Sequence, residues 1–469
     1  MKINTSLVVL LLIGLTSTVF AIRVGVINDL HLDPFYDPSV ESDRDCRGLN
    51  PFKLKGLDST NDLAPFGRYG CDVSPTLINI LFAKLKELSG HIDVLLVSGD
   101  FTGHDIAAKR GKADENYIML KSVISSCFAQ YIDPSFSKTI IIPTIGNNDA
   151  KFHYEFPQTG EEADEYYGFL YDLWWNEIGA NPEYSKKDEV KETFMKGGFY
   201  RYDHSDKISF LALNSLYWSE KNEKFSSGIS HSQLDWLEEQ LRDAEDSRQF
   251  IINMHIFPGM YNPGARQRFW LDEFTNRFDD IMLQYGHKVI LFNGAHVHIA
   301  DVRASWVEDY GSVQDLLKDE RSTKRAYFAN FVSPAISPVY LNNPGFSMFD
   351  IDEDKMKVHN ITAHFLELDR TFQSKGHEVV FHSIDFAEEF GIDEWSPQTI
   401  LDFMDRAQND DELFKRFLIL KLGFRLDQEE EALTVYENLN MIDFSNNNRI
   451  YWCFFQYMRA EDYDACVKG

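Results

Sequence analysis

Five short apolar runs recur along the chain, and each gives way at its carboxyl end to a residue able to bind a metal. They are Val24–Asp29 leading into Asp29-Leu-His31, Val94–Ser98 into Gly99-Asp100, Thr139–Ile142 into Gly146-Asn147-Asn148-Asp149, Phe250–Met254 into His255, and Val289–Phe292 into Gly294-Ala-His296-Val-His298. Short runs of this kind predict strands, and open α/β sheets place their chemistry beyond the carboxyl ends of strands. Helical signals alternate with them. Ser74 as N-cap, Pro75 in the first turn, Leu77, Ile78, Leu81, Leu85 and Leu88 on one face, and Gly90 as a stop define one helix. Another runs from about Ser232 through Leu234, Leu237 and Leu241. Ala326 to Val358 is strand-rich with Pro and Gly punctuation, as a second sheet packed on the first would be. From about Ser396 the period turns helical again, through Ile400, Phe403, Met404, Leu413, Phe417, Leu418, Leu420 and Leu422.

This alternation predicts an α/β layered core with a helical appendage. The division expected is a leader at 1–21, a catalytic domain at 22–384 and a C-terminal helical subdomain at 385–469. The leader rests on Lys2 and the apolar stretch Leu7 to Phe20, too short to span a membrane, with cleavage after Ala21. The 469 residues, 44% hydrophobic and 14% aromatic, suffice for a large core. Export permits disulfides, and the five cysteines fit that setting. Cys46 and Cys71 bracket one loop and Cys453 and Cys466 the extreme C-terminus, so those pairs are expected, with Cys127 left as a buried apolar filler. Asn360-Ile-Thr362 is a glycosylation sequon. A formal charge of −28 argues against nucleic acid as a partner.

The polar residues after the five strands fit a centre for two divalent ions. Asp100 follows a glycine at a strand end and is the candidate bridge. Asp29 with His31, and His296 with His298, lie two apart and can share a face. Asn147 adds an amide oxygen and His255 an imidazole, a mixed shell suited to zinc. Each motif alone is commonplace. Their succession in order is what carries the reading.

Taken with their surroundings, these residues resemble the acid sphingomyelinase-like phosphodiesterases of the calcineurin-like metallophosphoesterase superfamily. The resemblance rests on Asp29-Leu-His31-Leu-Asp-Pro-Phe-Tyr36, Gly99-Asp100-Phe-Thr-Gly-His104-Asp105, the cysteine-bracketed loop, Asn343-Pro344-Gly345-Phe346 and the C-terminal cysteine pair. It implies a layered α/β/β/α sandwich of the metallophosphoesterase type. It also implies one zinc held by Asp29, His31, Asp100 and His298, and another by Asp100, Asn147, His255 and His296. His104 would contact the phosphate or protonate the leaving oxygen. The superfamily usually reads Gly-Asn-His where this chain has Gly146-Asn147-Asn148, so Asn148 binds substrate without transferring a proton. The acid role then falls to His104, with His153 in reserve. Gly103 stands where purple acid phosphatases place a metal-binding tyrosine, so ferric iron is not implied.

The function expected is that of a secreted or lysosome-type dinuclear zinc phosphodiesterase, in which metal-activated hydroxide attacks phosphorus. It is expected in an extracellular, lysosomal or vacuolar lumen, as a monomer without a membrane span. No saposin-like segment precedes the first strand, so water-soluble phosphodiesters or nucleotide phosphoanhydrides are favoured over sphingomyelin and other phospholipid headgroups. The Gly-Asn-Asn-Asp form also resembles vacuolar endopolyphosphatases, which keeps a phosphoanhydride hydrolase of that kind as an alternative. A different class, a secreted binding protein with a slow, metal-stabilised site, would carry the same shell.

Overall fold

In the computed structural model, residues 21–438 and 448–468 are described, apart from 41, 43–45, 48–63, 107–112, 156, 158, 159, 223–226, 263–266, 310–322 and 375–377. The expected leader lies outside them up to residue 20. Fifteen strands are present among the described residues. They are β1 (Ala21–Ile27), β2 (Val94–Val97), β3 (Ile140–Pro143), β4 (Tyr200–Asp203), β5 (Ile208–Leu213), β6 (Gln249–Met254), β7 (Met260–Asn262), β8 (Gln267–Arg268), β9 (Val289–Gly294), β10 (Asp301–Asp309), β11 (Thr323–Val332), β12 (Gly345–Asp352), β13 (Lys357–Leu366), β14 (Phe381–Asp385) and β15 (Glu394–Trp395).

Two sheets form the core. The first runs β14-β13-β12-β1-β2-β3, with β15 also on β13, and the second runs β10-β11-β9-β6-β5-β4. β1, β2 and β3 are parallel, as are β5, β6, β9 and β11, so the carboxyl ends of β1, β2, β3, β6 and β9 carry the five expected motifs. Helices flank the sheets, in the layered α/β arrangement that the sequence implied. The helix Pro75–Ser89 keeps its expected signals: the Ser74 hydroxyl accepts from Leu77 N–H, and Gly90 ends it with φ 60°.

One expectation is corrected. The stretch from Ala326 to Val358 does not build a second sheet by itself: β11 joins the second sheet beside β9, whereas β12 crosses back to pair with β1 in the first. Both β11 and β12 bury at least half of their length in the same core, so the sequence pattern cannot say which sheet receives each one. The crossing segment also reaches the site, since Ile336 N–H and Ser337 N–H donate to the carbonyls of Asn28 and Asp29 at 3.1 Å.

A polar knot ties the sheets together beneath the five motifs. Ser98, Asn253 and Asn293 are wholly buried, and Asn293 Nδ2 donates to Ser98 Oγ at 2.9 Å and to Asn253 Oδ1 at 2.8 Å. Ser98 Oγ donates to Asn253 Oδ1 at 2.8 Å, so the ends of β2, β6 and β9 are in fixed register across the interface.

The C-terminal helices pack directly on the second sheet. Pro397–Gln408 lies against β10 and β11, and Asn448–Gln456 against β10. Both expected disulfides are formed, Cys46–Cys71 and Cys453–Cys466, and Cys127 is a buried free thiol. At the junction Asp301 accepts from Lys421 at 2.6 Å and Arg303 at 3.3 Å, all three buried, while the Arg303 guanidinium lies 4.0 Å from the centre of the Phe454 ring. Asp301→Asn leaves two cations buried without a counter-charge and is expected to destabilise the protein by about 3–5 kcal/mol. Urea unfolding checks this, and an unchanged midpoint would show that the junction does not depend on the pair. Among the described residues no helix is long and apolar enough to cross a membrane.

Candidate metal centre

The loops that leave β1, β2 and β9 are unusually bent. Asp29, His31, Asp100, His296 and His298 all have left-handed backbone, with φ between 42° and 77°. Such conformations cost about 1–3 kcal/mol each for residues with a side chain, and they persist where the surrounding fold imposes them. Two glycines make the approach of two loops possible. A Cβ on Gly146 would stand 2.1 Å from Asp100 N, and one on Gly99 would stand 2.5 Å from Gly146 N. Asp149 then binds the loops together, accepting from the backbone N–H groups of Gly146 and Asp100 on one oxygen and Phe101 and Thr102 on the other.

The side chains so placed converge. His31 Nε2 stands 3.1 Å from His298 Nε2 and 3.4 Å from Asp100 Oδ2. His255 Nε2 stands 3.2 Å from Asp100 Oδ2 and 3.0 Å from Asn147 Oδ1. Asp29 Oδ1 lies 3.5 Å from His298 Nε2 and has no hydrogen-bond partner although buried. His296 completes a second cluster with Asp100 and His255, whereas Asp29, His31 and Asp100 form the first, so Asp100 is common to both. The seven expected ligand residues thus meet at one place.

The donor chemistry fits cations there. The Nδ1 atoms of His31 and His255 face the carbonyls of Thr102 and Ser98, at 3.0 and 2.7 Å, and a hydrogen bond to a carbonyl puts the proton on Nδ1 and turns the Nε2 lone pair inward. Lone pairs and carboxylate oxygens facing one another across about 3 Å repel unless a positive charge sits between them. Burial alone would push the Asp29 and Asp100 carboxyls up. The imidazoles outweigh it, His298 foremost at Asp29 and His255 at Asp100, and hold both below the usual carboxylate range. Burial opposes a charged His255, yet Asp100 pulls that imidazole up to about 9, a proton held where a cation would displace it.

Beside the cluster lies a cavity of about 210 Å³, lined among others by Asp100, His104, Asn148, His153, Tyr154 and Tyr340. His104 stacks on His31 with ring centres 4.2 Å apart. Its Nδ1 lies 2.9 Å from Asp72 Oδ1, and its N–H donates to Asp72 Oδ2 at 2.6 Å. Burial lowers the His104 imidazole and Asp72 more than offsets this, so it sits above its ordinary value. Arg47 donates to Asp72 and to the His104 carbonyl, at 3.3 and 2.8 Å. Arg47 and Asp72 each follow a cysteine of the Cys46–Cys71 bond, which therefore clamps the support of His104.

His153 and Asn148 take other places. Asn147 Nδ2 lies 2.9 Å from His153 Nε2, which turns the amide oxygen of Asn147 toward His255. Asn148 lines the cavity, but its amide nitrogen donates to Asp100 Oδ2 at 2.9 Å, so it also orients the shared carboxylate. Asn360 is exposed, with Nδ2 donating to Asp350 at 3.0 Å. Asp72, Arg47, Asp149 and the Ser98–Asn253–Asn293 knot are functional supports that sequence reasoning did not assign. The only cue was that Arg47 and Asp72 adjoin paired cysteines.

Over residues 22–300 the chain matches the family described as calcineurin-like phosphoesterase. It belongs to that family. Members are metal-dependent hydrolases of phosphoric esters, and the cluster above is where this phosphoesterase can hold divalent ions. Among curated proteins the phosphoesterase is 27% identical to sphingomyelinase phosphodiesterase D of Dictyostelium discoideum, over 82% of this chain and 81% of that one. It is 24% identical to human acid sphingomyelinase-like phosphodiesterase 3b, over 84% and 81%. It is 21% identical to a human cyclic GMP-AMP phosphodiesterase, over 80% and 76%.

Proposed function

We propose that this phosphoesterase is an exported, dinuclear zinc phosphodiesterase acting on small phosphodiesters or nucleotide phosphoanhydrides. The observation that carries the reading is the convergence of four imidazoles, two carboxylates and one amide oxygen on a single point with Asp100 common to both clusters. Asp29, His31, Asp100 and His298 would hold one ion, and Asp100, Asn147, His255 and His296 the other. Two ions so held supply a nucleophile at neutral pH and charge stabilisation for an in-line displacement at phosphorus. The protein's own groups do the rest. Asp100, oriented by Asn148, fixes the separation of the two sites. His153 fixes the face that Asn147 presents. His104, held through Nδ1 by Asp72, lines the cavity, where its remaining ring nitrogen can give a proton to the departing oxygen. The relatives' names include both a sphingomyelinase and a nucleotide phosphodiesterase, which supports the diester class and leaves the choice of substrate to the cavity. Two disulfides support an oxidising compartment.

The test is hydrolysis of bis(4-nitrophenyl) phosphate with metal content measured on the same sample. Two equivalents of zinc per chain with activity, loss of both on chelation and recovery of both on zinc addition are expected. A metal-loaded sample inert on this substrate, on sphingomyelin, on nucleotides and on polyphosphate would instead mark a binding protein.

A further inference from the structure

A second cavity of about 270 Å³ adjoins the first, and Tyr154, Lys221, Tyr261 and His296 line both. Lys221 Nζ lies 5.1 Å from the centre of the Tyr154 ring and 5.5 Å from that of Tyr261. It also lies 3.5 Å from the Tyr154 hydroxyl, which is itself 3.5 Å from His296 Nε2. The ammonium is thus two contacts away from a candidate metal ligand. Among the described residues no carboxylate pairs with it: neighbouring Glu220 is engaged by Arg268 at 3.3 Å. Acidic residues outnumber basic ones 74 to 46, yet Lys221 stands at the mouth of the site with no carboxylate partner among the described residues. Two aromatic faces hold the ammonium in place without neutralising it, so its charge stays available to a ligand.

We propose that Lys221 binds a second phosphoryl group of the substrate, next to the one held at the metal centre. Its position also sets what is refused. A choline headgroup is recognised by aromatic faces around a quaternary ammonium. Here the faces of Tyr154 and Tyr261 are already taken by a cation of the protein, which repels a second one. Lys221 is therefore a specificity-determining residue that selects nucleotides and other phosphoanhydrides over phosphocholine esters. This rests on the reading of the metal centre given under Proposed function.

Lys221→Met and Lys221→Arg, compared in the zinc-loaded full chain with the unsubstituted protein, test it. For ATP, Lys221→Met is expected to raise KM by about 10–100-fold, the worth of a hydrogen bond to a charged group, with a much smaller change in kcat. Lys221→Arg should recover most of that loss. The loss on bis(4-nitrophenyl) phosphate, which has no second phosphoryl group, should be at least about tenfold smaller, and KM for 4-nitrophenylphosphocholine should fall as the repulsion goes. Equal losses on all three substrates, or none on ATP, would overturn the proposal. Calorimetry with inorganic pyrophosphate and orthophosphate separates this from the reading beneath it. If the unsubstituted protein turns over nothing, the proposed activity fails. Lys221 is then judged by whether Lys221→Met weakens pyrophosphate more than orthophosphate, and equal affinities would reject it.

Discussion

Replacing Asp100 by Asn is expected to remove bound metal and at least about 10⁴-fold of kcat/KM together, equivalent to roughly 5 kcal/mol of transition-state stabilisation. Two dications at the separation of a dinuclear site repel about four times as strongly as unit charges, and a shared anionic ligand is what holds them there. Asp100 is the residue that both clusters share, and its oxygens already accept from Asn148 N–H at 2.8 Å and Asn148 Nδ2 at 2.9 Å. An amide in its place keeps the size, loses the charge and sets a donor against a donor. Metal analysis beside kinetics decides the matter. Full turnover with two ions still bound would remove Asp100 from the bridging role, and circular dichroism separates metal loss from unfolding.

For His104→Ala the expected loss depends on the leaving group. Hydrolysis of a phosphodiester that expels an alkoxide should slow by about 10²–10⁴-fold, the usual range for a lost general acid. A nitrophenolate departs without protonation, so the loss on bis(4-nitrophenyl) phosphate should be far smaller. The geometry behind this is the pairing of His104 Nδ1 with Asp72, which fixes the ring of a residue that lines the cavity and leaves its other nitrogen out of that contact. Because His104 also lies with His31 and His298 in a possible metal-binding group, equal losses on both substrates would show that it holds the ion or the phosphate instead. His153→Ala serves as the comparison. Its contact with Asn147 predicts weaker metal retention rather than a leaving-group effect.

Much of this was legible in the residues because it depends on short-range rules. The motif at each strand end, the Ser74–Pro75 start and the Gly90 stop of one helix, and the C-terminal helical period all follow from spacing and backbone preference. What was not legible depends on closure in three dimensions. β11 and β12 are both strand-like in sequence, and the crossing of the chain between them decides their sheets. Asp72 is an ordinary aspartate until the Cys46–Cys71 bond folds it under His104, and Asn148, read as a substrate contact, proves also to orient Asp100. Lys221 carries no motif at all. Its meaning comes from the two tyrosines beside it and from the lack of a carboxylate partner among the described residues.

The order of strands in the first sheet bears on how the chain is made. β1, which leads into Asp29, sits between β2 and β12, and its other neighbour does not exist until residue 352 has been synthesised. His255, His296 and His298 belong to the second sheet, so an amino-terminal fragment can present Asp29, His31, Asp100 and Asn147 but no complete pair of sites. Capture of two ions by these residues would therefore be a late event, after more than two hundred residues of intervening chain have folded back, and topologies of this kind form slowly. Until then β1 is an open edge of unpaired N–H and C=O groups, the feature that invites association between nascent chains. Truncation before β12 should accordingly yield insoluble protein rather than a weaker enzyme.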